Sequence, residues 1–154
     1  MQSNRLTVRF TRLDPTRHRF EAVRADGSRE VRELETRSYL IHDLVHFALE
    51  SEARLVSGFY GALARGAAYD AEAASAEAMQ VENVVAPLQT AIRGEVDPAA
   101  FVARLRAGRA SVGDAAPEWL TEALIARVLE RLRQLSGRWR ATPFGETMEL
   151  RFDV

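Results

Sequence analysis

Cysteine and lysine are both missing from this 154-residue sequence. The first absence excludes disulfides, cysteine-based zinc sites and thiol nucleophiles by composition alone. The second leaves arginine to carry all 21 basic charges beside an alanine-rich body, a pairing associated with GC-rich coding. Long apolar runs are missing too: Arg, Asp or Glu interrupts every stretch that approaches the roughly 18 residues of a membrane span. The stretch from Met1 to Arg12 carries Arg5, Arg9 and Arg12 and no signal-peptide core, so it is expected to stay on the mature chain. Glycine-rich phosphate loops and Gly-x-Ser-x-Gly nucleophile motifs are also lacking. The expectation is a soluble, cytoplasmic protein with no membrane partner.

The charge is nearly balanced, at −1 with a sequence pI of 6.3, which argues against nucleic acid as a partner. It is unevenly spread: residues 41–98 carry three Arg against nine acids, whereas the flanking thirds lean basic. The length suits one domain, expected to span residues 1–154.

Strand signals lie at both ends. Leu6, Val8 and Phe10 alternate with polar neighbours, and Phe20, Ala22 and Val23 mark a second run. Asp26-Gly27-Ser28 is hairpin-turn chemistry, and residues 29–36 are expected to return as a third strand. Near the C-terminus, strand character is expected from Trp139 and its neighbours, then a turn at Pro143-Phe144-Gly145. Met148, Leu150 and Phe152 alternate in the last strand. Between the ends the apolar period is helical. Helices are expected over residues 40–56 with Ser38 as N-cap, over 59–65, and over 70–86 with Met79 in the buried stripe. Pro87 should kink or break the third of these. Two more are expected over 98–107, opened by Asp97-Pro98, and over 117–135, stopped near Gly137. The fold class is therefore α+β, a mostly antiparallel sheet of about four or five strands, from the N-terminal meander plus the C-terminal strand, packed against several helices.

One constellation carries chemistry. His42 and His46 are four residues apart on the first predicted helix, a spacing that brings two imidazoles within reach of one metal ion. Asp43 and Glu50 share the arc that the apolar residues leave empty, so the four form one polar face. The metal ligands read from this are His42, His46 and Glu50, with Asp43 behind them as an orienting carboxylate. The ion would be zinc or another divalent transition metal. Glu50 is either the third ligand or an orienting group, because one straight helix separates it from His42 by about 12 Å of rise. Glu77 or Glu82 on the acidic helix, or His18, are the alternative third ligands. Both rings must be neutral to ligate, so affinity should weaken as the pH falls through the histidine range near 6.5.

The run His42-Asp43-Leu44-Val45-His46 resembles the His-Glu-x-x-His helix of the zincin metalloproteases, in which the histidines bind zinc and the glutamate acts on the attacking water. Here Asp43 stands where that family has Glu, with a shorter reach. A longer stretch, His42 to Glu50 with Phe47, followed by Gly58-Phe59-Tyr60-Gly61, resembles a group of small uncharacterised bacterial proteins with a His-Asp-Leu-x-His-Phe helix. That likeness implies no activity.

Beside these stand plainer readings. Two histidines on a polar helix face are often solvated or paired with neighbouring acids. His18, between two arginines, reads as exposed, Trp119 and Trp139 as packing anchors, and the paired glycines around Phe59 and Tyr60 as a tight helix–helix approach. The leading functional expectation is a non-catalytic interaction or oligomerisation domain, with a homo-oligomer or protein partner. The alternative is a divalent-metal or small-ligand-binding domain built on the His42/His46 helix, and a minimal metal hydrolase comes third.

Overall fold

The computed structural model describes residues 5–154; positions 1–4, part of the stretch read for a leader, lie outside the described residues. Three strands, β1 (Arg5–Arg12), β2 (Arg17–Val23) and β3 (Arg29–Glu35), lead into five helices: α1 (Thr36–Glu52), α2 (Phe59–Ala64), α3 (Ala76–Ala91), α4 (Pro98–Ser111) and α5 (Glu122–Arg140). Strand β4 (Thr147–Asp153) then returns to the sheet, whose order is β3-β2-β1-β4. All its pairings are antiparallel, which makes the fold α+β.

The pleat explains the sheet. Leu6, Val8 and Phe10 on β1 face the core with Phe20 and Ala22 on β2 and Met148, Leu150 and Phe152 on β4. The other face is laced by ion pairs: Arg9 reaches Glu21 at 2.8 Å and Glu149 at 3.0 Å, and Arg5 reaches Asp153 at 3.2 Å. Gly27, with φ of +87°, turns the β2–β3 hairpin as the Asp-Gly signal predicts. His18 is not exposed, because it lies two residues before Phe20 and so shares the inner face. There it packs against Phe10 and Trp139, with Nδ1 3.0 Å from the Thr36 hydroxyl.

Several helix boundaries differ from the sequence expectation. Helix α1 starts at Thr36 with Glu35 as its N-cap, and Ser38 donates to the Glu35 carboxylate from inside the first turn. Helix α3 begins at Ala76, where the Ser75 hydroxyl accepts from the Ala78 amide at 3.0 Å, and it carries Pro87 without breaking, ending at Ala91. Met79 is exposed. Helix α4 runs through Gly108 to Ser111, α5 starts only after Thr121 caps it, and α5 passes through Gly137 to Arg140, so Trp139 is helical. Local glycine cost, about 1 kcal/mol in a helix interior, is outweighed here by the packing of neighbours such as Leu135 and Trp139.

Helix α1 is the centre of the molecule. Every residue from Asp43 to Glu50 is buried, so this helix is enclosed all round by the sheet, α2, α3 and α5. Its aromatic surroundings join it to the sheet: Tyr60 lies 5.3 Å from Phe47 and 5.6 Å from Phe152 between ring centres.

Candidate metal centre

The polar arc of α1 is buried rather than solvated. Asp43, His46 and Glu50 are each fully inaccessible, and only His42 reaches solvent, with 36% of its side chain exposed. Burying a charge or polar group without a partner costs several kcal/mol, and each of these has one.

His46 carries the clearest arrangement. Its Nδ1 lies 2.9 Å from Oε2 of Glu50, and the other Glu50 oxygen accepts the Tyr60 amide at 3.0 Å. Nε2 points the opposite way, 3.1 Å from Oε1 of Glu82 on α3. That oxygen is off the Nε2–H direction, so among the described residues the buried Nε2 makes no hydrogen bond. The His42 ring is 4.6 Å from the His46 ring, and its Nδ1 faces Oδ1 of Asp43 at 3.4 Å.

Together His42, His46 and Glu82 bring one ligand atom apiece to within 4.8 Å of one another. This is the only such group of three among the described residues. Glu50 stands outside it, on the far nitrogen of His46, in the place of a carboxylate that fixes a ligating imidazole. Asp43 makes a longer contact, 3.4 Å, with Nδ1 of His42 and accepts the Tyr69 hydroxyl at 2.8 Å. Of the other candidates, Glu77 accepts the amides of Val56 and Ser57, and His18 is committed to the sheet face.

Electrostatics follow from this packing. Burial pulls the His46 pKa down, but the Glu50 and Glu82 carboxylates outweigh it and hold it up at about 9. The His46 partner in turn holds the Glu82 carboxyl below its usual range against the opposing effect of burial. Proton competition for His46 therefore begins well above the ordinary histidine range, and a metal taking Nε2 must displace that proton. Burial and Asp43 push the Tyr69 hydroxyl up, so it stays a donor. At His18 burial lowers the pKa against the pull of Asp43.

Two glycines make the arrangement fit. A Cβ on Gly58 would lie 2.4 Å from Oε1 of Glu50, and one on Gly61 would lie 2.0 Å from the Val56 carbonyl oxygen. The glycines around Phe59 and Tyr60 thus admit the Glu50 carboxylate and the 53–58 backbone. Tyr60 and Tyr69 were missed by spacing arguments, because they reach α1 from 17 and 26 residues away.

The fold and the site define an α+β protein with a His-His-Glu group on its central helix and the helix facing it. No protein-family model, no curated protein and no solved structure matches the chain.

Proposed function

We propose that this chain binds one divalent transition metal ion, zinc or a close relative, through His42, His46 and Glu82. The observation that carries the reading is the buried, hydrogen-bond-free Nε2 of His46, with a Glu82 oxygen 3.1 Å away but off its N–H direction, while Nδ1 is held by Glu50. Two nitrogens and a carboxylate suit zinc, nickel or cobalt, and three protein ligands leave a coordination position open. Glu50 and Asp43 act as the carboxylates that fix the rings, and neither is a ligand in this reading. Hydrolysis finds less support, because Asp43 is occupied by Tyr69 rather than free to act on a metal-bound water. No particular observation favours the interaction-module reading.

The test is calorimetric zinc titration of tag-free protein at mildly alkaline pH. One zinc per chain is expected, lost in His42→Ala and in Glu82→Gln, both of which alter partly exposed side chains and keep the fold. Absence of uptake by the parent protein, or full uptake by both variants, overturns the reading.

A further inference from the structure

A cavity of about 380 Å³ opens beside the metal group, between α2, the 67–75 segment and the start of α3. Of the metal group only Glu82 lines it, next to Phe59, whose ring lies 5.2 Å from that of His46. Ala78, one helical turn before Glu82 on the same face of α3, continues the wall away from the ligands. Beyond it alanine makes up about half of the lining, including Ala62, Ala71 and Ala74, with Arg65, Glu72 and two serines as its polar members.

The segment that closes this cavity is irregular yet held. Arg24 donates to the carbonyls of Leu63 at 2.6 Å and Ala67 at 2.9 Å, and the Tyr69 amide donates to Glu30 at 3.2 Å. Tyr69 is further anchored on Asp43. Tyr69 alone among these groups thus joins the wall to the back of the metal site.

The alanine part of the wall leaves room and offers no side-chain hydrogen bonds, so it suits a hydrocarbon chain. At the Glu82 end the recognition element would be the ion, whose open position accepts an oxygen donor. The exposed Arg65 is the cavity's own cation, so the zinc-free titration separates the two. We infer that the metal centre and this cavity together form a binding site for an unbranched aliphatic carboxylate, its head on the metal and its tail along Ala78. The inference rests on the proposed metal site and adds the ligand class.

The experiment titrates zinc-loaded protein with acetate, butanoate, hexanoate and octanoate. Affinity should rise about threefold to fourfold for each added methylene. In Ala78→Phe, which narrows the cavity next to Glu82, zinc uptake should persist while the chain-length dependence disappears. Ala74→Trp, at an exposed wall position, provides the same test if Ala78→Phe does not fold. Normal zinc uptake with a flat series overturns this inference and leaves the metal site standing. Octanoate binding equally well to zinc-free protein, or an unchanged series in both variants, also overturns it. Failure of the parent to take up zinc overturns both readings together.

Discussion

His46 and Glu50 form a fully buried pair, Nδ1 to Oε2 at 2.9 Å, one helical turn apart on the central helix. The glutamate is itself immobilised by the Tyr60 amide and the bare Cα of Gly58. It sets the proton on Nδ1 and so leaves Nε2 as the nitrogen available to a metal.

Replacing Glu50 with Gln tests that relation. The amide can present its NH₂ to Nδ1, which then accepts and leaves the proton on Nε2, the wrong tautomer for ligation. Zinc affinity should fall about 10–100-fold, the usual effect of removing such a partner. Calorimetry on the variant, with circular dichroism to confirm folding, decides it; an unchanged affinity would show that Glu50 does not orient His46.

Glycine substitutions separate contact from backbone freedom. Gly58→Ala drives a methyl into an immobile carboxylate and should cost about 1–3 kcal/mol by urea unfolding, the range for overpacking. Gly137→Ala, inside α5 with nothing near its Cβ, should instead stabilise by about 0.5–1 kcal/mol. Equal effects at the two positions would remove the steric account of Gly58.

Stability of the metal-free protein should depend on pH through its histidines. The folded pKa of His46 is raised from 6.5 to about 9, so its contribution is fully present below 6.5 and is lost as the pH rises through 9. The loss amounts to about 3 kcal/mol by linkage. His18, with a lowered pKa, acts in the opposite sense below 6.5, where the unfolded chain gains a proton that the folded chain resists. Melting temperature of the metal-free protein should therefore peak near 6.5, and a continued rise from there to pH 9 would contradict the buried ion-pair arrangement.

Strand β4 should be integral to the fold. Phe152 is 2% exposed between Phe47 and Tyr60, so Phe152→Ala should cost about 3–5 kcal/mol. Phe144, 56% exposed in the preceding turn, should cost under about 1 kcal/mol when cut to Ala. Deletion of residues 147–154 should abolish cooperative unfolding, because it strips one of the two partners of central strand β1 and the buried Met148, Leu150 and Phe152 with it. A local effect only, seen by hydrogen exchange, would contradict this.

The sequence by itself determined the elements whose signal is local. Alternation at Leu6-Val8-Phe10 and Met148-Leu150-Phe152, turn chemistry at Asp26-Gly27, and the helical spacing of His42 and His46 each depend on neighbours within a few residues. The same alternation, carried back from Phe20 and Ala22, would have placed His18 inside. The start of α4 was legible at Asp97-Pro98, where the fixed φ of proline opens the helix although Asp97 makes no side-chain cap bond. At α3, by contrast, the Ser75 hydroxyl sets the start at Ala76 rather than at residue 70, within the alanine-rich stretch. Tertiary structure alone decided that the polar arc of α1 is buried, since a wheel shows which residues share a face and not what covers it. It also brought Glu82, one of the alternatives that the acidic helix offered, beside the two histidines. Glu82 meets His46 because α3 packs across α1, and that meeting depends on the whole core closing around the helix, which no spacing along the chain encodes.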